Sequence, residues 1–188
     1  MSKKSSNNFI LYILIFSIIV FSFYKFDFLS KLNYPLIYEE QISESSLEYN
    51  VDKYLIYAVI KRESGFYPYA KSNKEAKGLM QISDMTWQWA YDELKTIDMN
   101  PFIISENIEV GSWYLSKLIR QYDNVQIALL AYNAGSGNVD EWIEDERLTG
   151  SDYKKWDIPF NESKRYIDKV TEYYTEYKKI YGEKNEES

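Results

Sequence analysis

An acidic residue, Glu63, stands at the end of an apolar, helix-like run, and Gly65 follows two positions later. The negative end of a helix dipole disfavours a carboxylate by a few tenths to about 1 kcal/mol, and partial burial acts in the same direction. The sequence therefore predicts a raised pKa for Glu63 and a carboxyl that is partly protonated near neutrality. This is the state that a general acid requires. The alternative is an ordinary surface acid that pairs with a Lys or Arg one turn away.

Two further stretches carry polar groups beside glycine. Gly78-Leu79-Met80-Gln81 combines a backbone that a ligand can approach, an adaptable apolar side chain and an amide that both donates and accepts hydrogen bonds. Tyr132-Asn133 places a hydroxyl and an amide at the end of another apolar run, shortly before Gly135. The alternatives are structural: the first stretch would be a turn before a helix, and Asn133 with Gly135 would cap a helix C-terminus.

The composition excludes several kinds of chemistry. The chain has 188 residues, enough for one domain, and contains neither Cys nor His. Disulfides, thiol nucleophiles, Ser-His-Asp triads and His or Cys metal sites are therefore excluded. We expect no cofactor and no metal requirement. The formal charge of −7 argues against a nucleic-acid partner. Aromatic residues make up 18% of the chain; most should pack in the core, and a minority could line a carbohydrate groove.

The hydrophobic periodicity is helical through most of the chain, and no run of paired strands is evident, so the sequence predicts a mostly α domain. Residues 51–63 and the segments DMTWQWAYDEL, VQIALLAYNAG and ESKRYIDKVTEYYTEYKKIY each show apolar positions at helix spacing. The expected terminal residues are three N-caps and one C-terminal glycine, namely Asn50, Ser83, Ser105 and Gly135.

The N-terminal region predicts a membrane anchor. Residues 9–24 carry no charge, and Lys3 and Lys4 precede them. By the positive-inside rule, residues 1–8 would be cytoplasmic, 9–25 would be a single transmembrane helix, and the rest would lie outside the bacterial cell membrane. Residues 26–45 would be a juxtamembrane linker, 46–182 the domain and 183–188 a flexible tail. A cleaved signal peptide is the alternative, but no small-x-small cleavage site follows the apolar run.

Four motifs in order, ESGF, GLMQ, AYNAGSGNV and ESKRYIDKV, resemble those of the bacterial lytic transglycosylases with a goose-type-lysozyme-like catalytic domain. The resemblance extends from about residue 51 to residue 181. It implies a lysozyme-like helical fold with a substrate groove, and cleavage of peptidoglycan glycan strands between N-acetylmuramic acid and N-acetylglucosamine.

The resemblance also implies roles for individual residues. Glu63 would protonate the glycosidic oxygen and then, as a base, take the proton of the 6-hydroxyl, which gives a 1,6-anhydro product. The expected substrate-binding residues are Ser64, Met80, Gln81, Tyr132, Asn133, Tyr166 and Glu162. One position departs from the family pattern: Glu75 stands where the family commonly has glycine, and a glycine there usually permits a positive φ. We therefore expect the loop of residues 70–78 to differ.

Three other functions remain open at this point. A hydrolytic muramidase would use the same fold and acid, with water as the nucleophile. A non-catalytic wall-binding component of a secretion apparatus would retain the fold without the chemistry, and a purely structural membrane protein would bind no saccharide. The process served could be cell-wall turnover, sporulation, secretion or conjugation, and each has its own partner machinery.

Overall fold

Helices account for most of the chain. The computed structural model describes residues 3–95 and 100–182, so the predicted tail, residues 183–188, lies outside the described residues. The helices are α1 Lys3–Asn33, α2 Glu39–Tyr49, α3 Lys53–Glu63, α4 Asp84–Leu94, α5 Ile104–Tyr122, α6 Val125–Ala134, α7 Ser136–Glu144 and α8 Asn161–Tyr181, with a 3₁₀ turn at Tyr153–Lys155. The described residues form only isolated β-bridges, at Lys71, Lys77 and Ile82. The prediction of a mostly α fold is confirmed.

The chain divides into two units, residues 1–35 and 36–188. The first unit is formed by α1, which contains the predicted anchor at residues 9–25. The side chains of residues 3–11, 19, 22–24, 26 and 27 lie outside the description. Within the part of the chain that is described, no helix has the length and apolarity that a membrane span requires.

The segment 26–45, predicted to be a linker, is helical over most of its length. The first helix continues to Asn33, and α2 begins at Glu39. Ile42 of α2 is completely buried, and Ser116 of α5 donates a hydrogen bond of 2.7 Å to the carbonyl of Tyr49 at the end of α2. Because that partner lies 67 positions away, the local pattern of α2 gave little sign that it belongs to the domain.

The predicted helix ends are partly confirmed. Ser83 caps α4 by accepting a hydrogen bond from the amide of Thr86, and Gly135 ends α6 at φ 88°. Two caps are wrong. Asn50 ends α2 in a left-handed conformation, and Asp52 caps α3 by accepting from the amide of Tyr54. The fifth helix begins at Ile104, so Ser105 lies inside its first turn.

The last helix, α8, packs along α3 and so fixes the helix that ends at Glu63. The rings of Tyr57 and Tyr177 stack with centroids 5.2 Å apart. The Tyr174 hydroxyl donates to Asp52 Oδ2 over 2.8 Å, which adds a polar contact at the N-terminus of α3. The tyrosines that the sequence shows at helix spacing therefore serve mainly in packing.

A hydrophobic core joins α5, α6, α7, α8 and the segment between α7 and α8. Its buried residues are Leu118, Ala128, Leu130, Ala131, Val139, Trp142, Leu148, Trp156, Ile158 and Ile167.

A buried amide joins the GLMQ segment to α5. Asn107 is 1% exposed, and its Oδ1 accepts a hydrogen bond of 2.8 Å from the amide of Met80. Its Nδ2 donates to the carbonyls of Lys77 and Pro101 at 3.1 and 2.8 Å. A Cβ at Gly78 would approach Nδ2 of Asn107 to 2.2 Å, so this close contact requires glycine. The side chain therefore holds two loops against one helix.

We predict that Asn107→Ala lowers the free energy of unfolding by about 3 kcal/mol, because it leaves buried backbone groups without partners. The measurement is chemical denaturation followed by circular dichroism. Asn73→Ala, at an exposed position of the loop before GLMQ, is the matched control and should change stability by less than about 0.5 kcal/mol. Equal midpoints for the two variants would contradict the role given to Asn107.

Candidate active site

The end of α3 opens into a cleft of about 370 Å³. Acids, amides, hydroxyls and one amine line it, namely Glu63, Ser72, Asn73, Lys74, Ala76, Gln81, Tyr132, Asn133 and Glu162. A second concavity of about 550 Å³ shares Lys74, Asn133 and Glu162 with the first and extends the cleft along the start of α8. Its floor includes Phe160, whose ring lies edge-on against Trp142 with centroids 5.1 Å apart. Together the two concavities form an extended groove rather than a closed pocket.

Glu63 is the last residue of α3 and lines this cleft. Its pKa is raised to about 7, first of all by burial of the carboxyl away from water. The tyrosine hydroxyl of Tyr166 and the charge of Arg62 act in the opposite direction and lower the pKa, whereas the charge of Glu162 raises it. The carboxyl therefore exchanges its proton near neutral pH, as the sequence predicts.

Tyr166 lies behind the acid, on the second turn of α8. Its side chain is 1% exposed, and the Arg62 guanidinium lies over its ring at 5.5 Å. The hydroxyl makes no hydrogen bond of normal geometry, yet it is close enough to Glu63 that each group shifts the pKa of the other. Burial and then the Glu63 charge raise the pKa of Tyr166 well above its usual value. A neutral hydroxyl therefore faces the carboxyl and could donate to its ionised form.

Tyr132 forms another side of the site. Its hydroxyl donates a hydrogen bond of 2.9 Å to the carbonyl of Met80, and its ring lies 5.4 Å from that of Tyr114. Burial, and then the charge of Glu63, raise the pKa of Tyr132 well above its usual value. The residue thus ties α6 to the GLMQ segment and remains neutral beside the acid.

Two of the three amides in the lining, Gln81 and Asn133, are held in fixed orientations. The Nε2 group of Gln81 donates to the carbonyls of Gly78 and Ala70 at 2.8 and 3.1 Å. The Oδ1 atom of Asn133 accepts a hydrogen bond of 2.8 Å from the Ser163 hydroxyl. Because an amide has one acceptor and one donor end, Gln81 can present its oxygen to a ligand and Asn133 can present its NH₂ group.

Three residues predicted to contact substrate are not among those that line the cleft: Tyr166, which lies behind the acid, Met80 and Ser64. Met80 is 0% exposed, and its side chain packs against Gly111, where a Cβ would come within 2.3 Å of the sulfur. It therefore lies beneath the cleft because the turn directs it into the core. Ser64 forms the C-terminal cap of α3, where its hydroxyl donates to the carbonyl of Ile60 and accepts from the amide of Phe66, each at 3.2 Å.

Glu162, in the first turn of α8, lines the cleft opposite Glu63. Its side chain is 63% exposed and its carboxylate lies 3.6 Å from the amine of Lys74. These two glutamates are the acids among the described lining residues. Across the described residues, no group of three or more acidic side chains has the arrangement of a metal site.

The loop before GLMQ, which Glu75 marks as unusual in the sequence, forms part of the cleft wall. Ser72 accepts hydrogen bonds from the amides of Lys74 and Ala76 at 3.2 and 3.1 Å, and its own amide donates to the carbonyl of Ala76. These bonds fold the loop into the wall of the cleft. Within it Glu75 adopts φ 64°. This is the left-handed region that glycine adopts readily, and it costs a glutamate about 1 kcal/mol.

Comparison with known proteins places this geometry in a family. The sequence model described as the transglycosylase SLT domain matches residues 40–154. The chain belongs to the transglycosylase SLT domain family. The match includes Glu63, Gln81, Tyr132 and Asn133 and ends before α8, so Tyr166 lies beyond it.

Individual relatives agree with this assignment. The chain is 30% identical over 158 residues to the soluble lytic murein transglycosylase of Salmonella typhimurium, covering 80% of this chain and 24% of the relative. It is 29% identical over 162 residues to membrane-bound lytic murein transglycosylase F of Desulfosudis oleivorans, covering 71% and 34%. The 70 kDa soluble lytic transglycosylase of Escherichia coli has the same fold, with a TM-score of 0.72, 26% identity and coverage of 82% and 26%. This SLT domain thus spans about a quarter to a third of these proteins.

The raised pKa of Glu63 predicts a pH-dependent stability. In the unfolded chain the carboxyl titrates near 4.5, and in the folded chain near 7, so the native state holds the proton more tightly. The stability from this group is complete below about pH 4.5 and is lost as pH rises through 7. Relative to wild type, Glu63→Gln should therefore gain up to roughly 3 kcal/mol of unfolding free energy between pH 4.5 and 8. The measurement is denaturation at each pH.

The matched control is Glu75→Gln, at an exposed position of the loop before GLMQ, which should parallel wild type across this range. A difference between wild type and Glu63→Gln that stays constant with pH would show that the carboxyl is not desolvated.

Proposed function

We propose that this protein is a peptidoglycan lytic transglycosylase that cleaves the β-1,4 bond between N-acetylmuramic acid and N-acetylglucosamine and leaves 1,6-anhydro-muramic acid ends. The observation that carries the proposal is a single desolvated carboxyl, Glu63, with a pKa of about 7 in a groove lined by amides and hydroxyls. Family membership supports it, because the matched relatives are named lytic murein transglycosylases.

The first step requires a proton donor at the glycosidic oxygen. With a pKa of about 7, Glu63 carries its proton on about half of the molecules at neutral pH. It transfers that proton to the leaving oxygen as the bond from this oxygen to C1 breaks. The carbonyl oxygen of the substrate's own 2-acetamido group attacks C1 and neutralises the developing cation, so no enzymic nucleophile is required.

The fixed amides suit an acetamido group. This group has one N–H donor and one carbonyl acceptor. Gln81 presents an acceptor and Asn133 presents a donor, because their other ends are engaged by Gly78 and Ser163. Pre-oriented partners of this kind hold the attacking carbonyl in place without further loss of side-chain entropy.

In the second step the ionised Glu63 accepts the proton of the 6-hydroxyl, whose oxygen attacks C1 and releases the acetamido oxygen. The carboxylate is then protonated again and the cycle closes without water. The neutral hydroxyl of Tyr166 faces this carboxylate and interacts more strongly with its charged form, which is why it lowers the pKa of Glu63. One carboxyl can thus act as acid and then as base.

Hydrolysis is the alternative, and one observation favours it. A muramidase needs a second acid that activates water, and Glu162 lies in the same cleft. Its side chain is 63% exposed and its carboxylate lies against the Lys74 amine, so it is not held in a fixed, water-excluded position, and we rank transglycosylation first. The two reactions differ by one water in the mass of the product, which mass spectrometry of digested sacculi distinguishes.

We predict that Glu63→Gln lowers the release of anhydro-muropeptides from sacculi by at least about a hundredfold, because the amide can neither donate nor accept the catalytic proton. Liquid chromatography with mass detection measures the release. Glu75→Gln, which changes a carboxyl outside the cleft lining, should keep most of the activity. If folded Glu63→Gln retains more than about a tenth of wild-type turnover, another residue is the acid.

Attachment to the bacterial cell membrane is a separate proposal, and it rests on sequence. We infer that residues 9–25 anchor the chain with the domain outside, because this run lacks acids and bases up to Lys25 and follows Lys3 and Lys4. Relatives include proteins named membrane-bound and proteins named soluble.

The anchor proposal predicts that the expressed chain stays in the membrane pellet after washing at pH 11, and that protease added to protoplasts removes the domain. A variant that lacks residues 9–25 is the control and should leave the pellet. Recovery of the complete chain in the wash, or protection of the domain from protease, would exclude this topology.

A further inference from the structure

We propose that Lys74 is a substrate-recognition residue that binds a carboxylate of the peptidoglycan strand. The proposal rests on the proposed function and names the feature of the substrate that this cleft selects. The shared chemistry is a carboxylate, and it has two sources: the lactyl group of muramic acid where no peptide is attached, and the peptide where one is.

Lys74 lies where the two concavities of the groove meet. It lines both of them, together with Asn133 and Glu162. Among the described residues that line either concavity, it is the only cation. The glycan itself is neutral in its hydroxyl and acetamido groups, so a cation at this point has no partner on the sugar backbone. Its natural partners are the acidic substituents of muramic acid.

The surroundings of Lys74 otherwise repel such a group. Glu63 and Glu162 line the same cleft, and the chain carries a formal charge of −7. A substrate carboxylate therefore gains no long-range attraction from the protein as a whole. The Lys74 amine lies 3.6 Å from Glu162, which neutralises that acid in part and leaves amine hydrogens for a second acceptor, since an ammonium group has three donors.

The loop positions the backbone that carries this amine. The Ser72 hydroxyl accepts from the amides of Lys74 and Ala76, and Glu75 beside it adopts φ 64°. The Lys71 amine pairs with Glu75 at 2.7 Å on the outer side of the loop. The backbone at Lys74 is thus fixed, whereas its side chain is 83% exposed and can reach a ligand. The loop thus contains a strained residue, Glu75, directly beside the lysine that lines the groove.

The test measures binding by calorimetry with the full-length chain carrying Glu63→Gln, which stops turnover. Three ligands are compared: peptide-bearing glycan strands, strands whose peptides were removed by an amidase, and the latter with their lactyl carboxyls converted to neutral amides. Adding Lys74→Met should weaken binding of at least one carboxylate-bearing ligand about threefold to fivefold, as for an exposed ion pair, and should not affect the neutral strands.

The affected ligand identifies the source of the carboxylate. If Lys74→Met lowers the affinity only for peptide-bearing strands, the carboxylate belongs to the peptide. If it also lowers the affinity for the stripped strands, the carboxylate belongs to the lactyl group. Lys74→Arg should restore the affinity, and the loss should shrink at high salt. Lys164→Met, a charge change at an exposed position of α8 that lines neither concavity, is the matched control and should bind like the parent.

Two results would overturn the inference: equal weakening of all three ligands by Lys74→Met, or no weakening of any. If the parent protein binds none of the three ligands, the proposed function fails together with it. Suppose instead that the parent binds the ligands and the wild-type protein, with Glu63 intact, cleaves sacculi. If Lys74→Met then binds like the parent, only the role of Lys74 is wrong.

Discussion

The removal of water from one carboxyl is the constraint on which the site depends. Glu63 ends a helix, where the helix dipole and burial both disfavour the ionised carboxylate. The carboxyl therefore needs neighbours that remain neutral while it gains and loses its proton. Tyr132 and Tyr166 supply such surroundings from α6 and α8, because each is neutral at physiological pH and raised further in pKa by burial. The packing of α8 on α3, where Tyr57 stacks on Tyr177, offsets the free energy lost by burying this carboxyl.

The loops are the second requirement, since the helices alone leave the groove without one wall. Asn107 joins the loop before α5 to the GLMQ turn, and Ser72 closes the loop that carries Lys74. Both are polar side chains that satisfy several backbone groups at once, which replaces the strand pairing that such a wall would otherwise need. The groove therefore keeps its shape although its rim is made of irregular backbone.

The sequence predicted those parts of the fold that depend on local spacing. The helix ending at Glu63, the cap at Ser83 and the stop at Gly135 each follow from a few neighbouring residues. The place of α2 did not, because its partner is α5, far along the chain. The directions of the side chains could not be predicted either. Within GLMQ, Gln81 lines the cleft whereas Met80 is buried in the core, and this difference depends on the three-dimensional geometry of the turn. Glu75 shows a further limit, since the hydrogen bonds that Ser72 accepts from neighbouring amides and the ion pair with Lys71 maintain a conformation that its own residue type disfavours.

The separation of Glu63 from Tyr166 along the chain has a consequence for biosynthesis. Roughly one hundred residues are made after the acid before the tyrosine that lies behind it is reached, at about 5–20 residues per second. A nascent chain that ends before α8 therefore carries Glu63 without Tyr166 and Glu162, two of the groups that set its pKa in the folded protein. The proton affinity on which the chemistry depends thus belongs to the finished domain and not to the helix that bears the acid.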